Sequence, residues 1–108
     1  MQRGSLVAVA VQGDFGKPRP AVVVQSDALA GTDSVLVCLL TTTRRDAALF
    51  RLDVAPDAAN GLHAPSQIMV DKVMAVRRDR CSAPFGRLDD VGMLALNRLL
   101  ALVMGLAD

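Results

Sequence analysis

The sequence predicts a mainly β fold with a small α component: a compact barrel or strongly curved sheet with one helix at the C-terminal end. Three observations carry this. Five or six short runs rich in valine and leucine lie between Ser5 and Val76. Glycine, proline, asparagine and aspartate gather between those runs. From Asp89 onward the apolar spacing becomes that of a helix.

Residues 5–11 alternate β-branched residues with alanine and read as a first strand. Residues 12–20 form a loop and 21–26 a second strand, and 27–33, with Gly31 and Thr32, make a turn or one helical turn. Residues 34–41 are apolar on both faces, as a central strand must be. A polar loop over 41–46 leads to a fourth strand at 48–54. Pro56, Asn60-Gly61 and His63 mark 55–64 as turn chemistry. Residues 66–70 and 73–76 read as a fifth and a sixth strand split by Asp71-Lys72, and 77–80 as a charged connector. Asp89 is suited to cap a helix, and Asp90 suits the positive end of its dipole. Leu96, Leu99, Leu100 and Val103 share one face, while Leu94, Leu102 and Leu106 make a second apolar face. A helix apolar nearly all round needs cover on more than one side, so a partner subunit is expected. The blander account is a wide core-facing helix with a few exposed leucines.

The totals fit one domain over residues 1–108, with 52% apolar and 21% charged residues, a balance that folds. A net charge of +1 gives no global pull toward nucleic acid, so any basic surface is local. Two cysteines cannot make a disulfide framework, and Cys38, inside an apolar run, is expected to be a buried thiol. The only histidine, His63, lies in a turn, and no zinc-ligand spacing, phosphate loop or dinucleotide fingerprint occurs, so no metal and no cofactor is expected. With one histidine, in a turn, a hydrolase triad is a poor reading. No signal-peptide pattern and no membrane-length apolar run is found, which leaves a soluble cytoplasmic protein as the expectation. With three phenylalanines and no Trp or Tyr, serial aromatic stacking on bases is disfavoured.

What remains for chemistry is a loop, Gly13-Asp-Phe-Gly-Lys-Pro-Arg-Pro20, spliced onto Ala21-Val-Val-Val-Gln25. Prolines on both sides of Arg19 restrict its backbone and hold it at the mouth of a strand. Thr41, Thr42 and Thr43 end another strand. Guanidinium forks bind phosphate bidentately and threonine hydroxyls can donate to its oxygens, so this set suits an anion. Arg44, Arg45, Arg77, Arg78, Arg80 and Arg87 can enlarge the basic surface. Equally, the threonines fit a β-favouring strand end and the arginines a solvated rim.

Arg3-Gly4, the Gly16-Lys-Pro-Arg-Pro-Ala-Val-Val-Val-Gln25 block, Val35-Leu-Val-Cys-Leu-Leu-Thr41, Pro65-Ser-Gln-Ile-Met-Val-Asp-Lys72, Gly86-Arg-Leu and the terminal helix together resemble the MazF/PemK family of toxin endoribonucleases. The resemblance runs through essentially the whole chain in order. It implies an SH3-like barrel, a homodimer, neutralisation by a cognate antitoxin protein, and metal-independent cleavage of single-stranded RNA at short sequences. It places the family's active-site arginine on Arg19 and its threonine on Thr41. Asp14, Lys17, Thr42, Thr43, Arg44, Gln67 and Asp71 are then the expected RNA-binding residues. An arginine of one plasmid-borne member corresponds to Met69, and the first-loop histidine or glutamate of some members has only Asp14 as its nearest counterpart. The acceptor of the 2′ proton is thus left among Asp14, Asp71, a phosphate oxygen and water. Two other functions fit the same fold class: a CcdB-type gyrase poison that cuts nothing, and a non-catalytic barrel that only binds a protein.

Overall fold

The computed structural model describes residues 1–11 and 17–106. Six strands form one antiparallel sheet in the order β4-β5-β3-β2-β1-β6. They are β1 (Ser5–Val9), β2 (Arg19–Val23), β3 (Ser34–Thr41), β4 (Arg51–Val54), β5 (Ser66–Arg77) and β6 (Gly86–Arg87), followed by helix α1 (Asp90–Val103). The mainly β class, the central β3 and the terminal helix are as the sequence predicts, and the turn after β2 is a single 3-10 turn, Asp27–Leu29.

The alternation of side chains sorts the core into two layers. Leu6, Val22, Cys38, Leu40, Ile68 and Val70 face the helix, where Leu88, Leu96 and Leu100 close over them. Val7, Val9, Ala21, Val23, Val35, Val37, Leu39 and Met69 fill the opposite face, inside the curl of the sheet. Both faces of β3 are therefore buried, which is why its run is almost continuously apolar.

Several boundaries differ from the sequence expectation. β1 stops at Val9, which bridges Cys81, and the Ala10 amide turns to the Arg80 carbonyl. β2 starts at Arg19, two residues early, and Pro20 is tolerated because pairing with β3 begins only at Ala21. β4 starts at Arg51: the amides of Phe50 and Arg51 both bond Ala47 O, a tight turn where a strand was expected. The expected fifth and sixth strands are one strand, β5. Its pairing with β3 steps from Cys38↔Val73 to Leu40↔Ile68, so two residues of β3 span five of β5. Asp71 and Lys72 ride on this bulge, exposed. The odd offset puts Val73 in the helix-side layer with Ile68 and Val70, and Met74 in the other.

The helix is capped as expected, with Asp89 Oδ1 accepting from the Gly92 amide at 2.7 Å. It ends where Gly105 takes φ 72° and the Leu106 and Gly105 amides return to Ala101 O and Leu102 O, a double closure that favours glycine. Leu96 and Leu100 are buried, and Leu99 packs against the same layer. Val103, assigned by spacing to the inner face, is 37% exposed because the helix end runs past the sheet. Val91, Leu94, Leu102 and Leu106 are exposed, a second apolar face as the sequence anticipates. Among the described residues, no helix is long and apolar enough to cross a membrane.

Cys38 is fully buried, as expected, and burial first, then the Asp71 carboxylate, pushes its thiol up to about 11 from 9.0. The native protein therefore holds Cys38 protonated where the unfolded chain releases a proton. By linkage, the contribution of Cys38 to stability is constant below about pH 9 and is lost between about pH 9 and 11. Urea titrations at pH 8 and pH 10.5 check this: the midpoint drops in the wild type and drops less in Cys38→Ala. The absence of tyrosine keeps that window free of phenol titration.

Candidate active site

The register of the sheet assembles the site. β2 and β3 pair as Ala21↔Leu39, Val22↔Cys38 and Val23↔Val37, and Arg19 and Thr41, each two residues beyond the Ala21↔Leu39 pair, lie on one face at the same end of the two strands. Arg19 pairs with Val9 on β1, Thr41 with Gln67 on β5, and Gln67 with Asp53 on β4. Residues opposite one another in adjacent strands share a face. Arg19, Thr41 and Gln67 thus form one transverse row, on the face away from the helix, at the end of the sheet where the 41–46 loop emerges.

Arg19 and Thr41 are both half-buried. Thr41 Oγ1 accepts a hydrogen bond from the Thr43 amide at 3.1 Å, which engages a lone pair and leaves the hydroxyl proton to be donated outward. Thr42, Thr43 and Arg44 follow in the exposed loop, and Lys17 is exposed just before β2. These predicted residues therefore cluster at one end of the sheet.

Two others do not fit the contact role expected of them. Gln67 is only 4% exposed and its amide is fully engaged. Oε1 accepts from Arg45 N (2.9 Å) and Arg51 Nη1 (3.2 Å), while Nε2 donates to Arg45 O and Asp53 Oδ1, both at 2.9 Å. Gln67 thus holds the loop from below instead of presenting itself to a ligand. Asp71 lies four residues beyond Gln67, up to about 13 Å along the strand, and pairs with Lys72 Nζ at 3.1 Å. It stands off the row. Asp14 lies outside the described residues.

A groove of about 560 Å³ opens beside the same sheet end, walled by Pro18, Pro20, Leu62 and Phe85, with Thr42, His63 and Ser66 at its margin. Ala8 lines it too and pairs with Pro20, so the groove belongs to the face opposite Arg19 and Thr41. Phe85 and His63 were missed as lining residues because only tertiary packing joins them: the Phe85 amide bonds Leu6 O, and Gly61, at φ 69°, abuts the Phe85 ring. Arg51 was also missed; a charged residue opening a strand gives no signal that it will be buried. Among the described residues, no three of His, Cys, Asp and Glu converge as metal ligands would.

A curved six-stranded antiparallel sheet with one C-terminal helix is the fold of small bacterial toxins. The Mycobacterium tuberculosis toxin MazF-mt6 superposes with a TM-score of 0.79 over 94% of this chain and 96% of its own, at 22% identity. An endoribonuclease in complex with its cognate antitoxin, from a mycobacterial species, superposes with a TM-score of 0.80 over 100% and 98%, at 25% identity. The family described as PemK-like, MazF-like toxin of type II toxin-antitoxin system matches residues 2–104. A relative from Mycolicibacterium smegmatis, named "Probable endoribonuclease MazF", is 38% identical over 108 residues, 99% of each chain. This chain belongs to the PemK/MazF-like toxin family.

Proposed function

We propose that this chain is a sequence-specific endoribonuclease, the toxin of a type II toxin–antitoxin pair, and that it cuts single-stranded RNA without a metal ion. The observation that carries this reading is the strand pairing that brings Arg19 and Thr41 to one face and one end of the sheet, beside a polar loop. Attack of the 2′-hydroxyl on the adjacent phosphorus forms a cyclic phosphate and expels a 5′-hydroxyl. The reaction needs the phosphate's developing charge held, a proton removed from the 2′-oxygen and one given to the leaving oxygen. Arg19 supplies the first: a preorganised cation with a two-pronged donor face. It is no base, since a guanidinium has five N–H donors and no acceptor. Thr41 donates its free hydroxyl proton to a non-bridging oxygen. Asp71 stands off the row, so the 2′ proton passes to Asp14, a phosphate oxygen or water.

The chain acts as one toxin domain that self-associates and is covered by an antitoxin. The exposed face of Val91, Leu94, Leu102 and Leu106 supports this, because an apolar strip that wide marks a contact surface. The name of the relative from Mycolicibacterium smegmatis favours the nuclease over a gyrase poison or a purely binding barrel. The test is to incubate the pure protein with RNA in EDTA and sequence the fragment ends. Cuts at one short motif, with cyclic phosphate and 5′-hydroxyl termini, are expected; intact RNA overturns the proposal. Sedimentation of the same preparation as a monomer at micromolar concentration would remove the self-association.

A further inference from the structure

The loop after Thr41 is held from beneath by one buried arginine, and we propose that Arg51, together with Gln67, is a positioning residue for the Thr41 hydroxyl. This deepens the endoribonuclease reading and rests on it. Arg51 opens β4 and is 9% exposed. Its Nη1 donates both to Thr43 O and to Gln67 Oε1, each at 3.2 Å. The Thr43 amide in turn donates to Thr41 Oγ1 at 3.1 Å. Gln67 faces Thr41 in the sheet and grips Arg45 through both its N–H and its C=O at 2.9 Å. Both ends of residues 43–45 are thereby fixed from one guanidinium and one amide. With its lone pair held by Thr43, the Thr41 O–H is turned toward the outside of the row.

Stability alone accounts poorly for Arg51. Its Nε is buried with no hydrogen-bond partner, and none of the ion pairs among the described residues involves it. A buried charge with an unsatisfied N–H is costly, and that cost offsets part of what its two hydrogen bonds contribute. An arginine kept in that condition under a reactive loop is what a positioning role leaves behind.

Arg51→Met keeps the bulk and removes the donors. Its Tm is expected to fall by only a few degrees, while kcat falls about 10- to 100-fold with KM little changed. In a Thr41→Val background the same substitution should cost no further kcat, because the hydroxyl it positions is gone. Arg51→Lys should restore most of kcat, since one ammonium can serve the two acceptors that Nη1 alone now serves. A loss that multiplies fully in the Thr41→Val background, or a wild-type kcat in Arg51→Met, overturns the proposal. Should Arg51→Met fail to fold, Arg51→Lys decides: near-native kcat and Thr43 amide exchange support the single-nitrogen clamp, and loss of either overturns it. The exchange measurement needs no RNA. A wild type that cuts no RNA overturns the endoribonuclease reading, whereas unchanged Thr43 exchange in Arg51→Met overturns the positioning role by itself.

Discussion

Arg19→Lys is expected to slow RNA cleavage by on the order of 100-fold or more, with a much smaller loss of RNA affinity. The charge is retained, so a residue that merely attracted the RNA backbone would tolerate the change. The fork is lost, and with it the two parallel hydrogen bonds that track the phosphate as charge builds on it. Arg19 is well placed for that work: it is half-buried, flanked by two prolines, and fixed in β2 opposite Val9, with Thr41 at the same end of β3. Single-turnover cleavage of a short RNA, with binding measured separately on a 2′-deoxy analogue, separates the two effects. Near-full cleavage by Arg19→Lys would sink the clamp.

The second large effect concerns the fold. Leu96→Ala is expected to lower stability by about 2–5 kcal/mol, the usual range for a leucine removed from a closed core. Leu96 is completely buried in the layer shared by Leu6, Cys38 and Ile68, so truncating it leaves a cavity inside the core. Thermal melts should show a drop of at least about 10 °C. Leu94, two residues earlier and 52% exposed, is the control: Leu94→Ala should change the unfolding free energy of the monomer by no more than about 0.5 kcal/mol. Equal costs at the two positions would mean that the helix does not dock as described.

Much of this was legible in the sequence for physical reasons. β3 could be delimited to its last residue because it is buried on both faces and bounded by Asp33 and by threonines. The helix start was legible because Asp89 carries a local capping signal that needs no tertiary partner. β4 was placed too early, since the alternation of residues 48–50 looks the same in a turn as in a strand. Asp71-Lys72 was seen as a break, but a polar pair cannot by itself distinguish a turn between two strands from a bulge within one. At the site, Arg19 and Thr41 stood out by their positions at strand ends. Their meeting at one end of the sheet is a matter of register, which no local pattern fixes. Gln67 entered with the residues that carry the family resemblance, and its burial beneath the loop is set by tertiary packing that no local pattern announces. Arg51 and Phe85 act through partners far away in the chain, and their own neighbours carried no hint of this.

The transverse row separates two properties that evolution can then adjust one at a time. Arg19 and Thr41 are held by strand pairing, which tolerates no slip without turning every side chain to the other face. The segments next to this end of the sheet, residues 42–47 and 55–65 among the described ones, are connections, free to vary in length and composition. Exchanging one of these loops between relatives should therefore change which RNA is chosen while the machinery of the cut stays put. One barrel can in this way supply a whole repertoire of cutters that differ in what they read and not in how they cut.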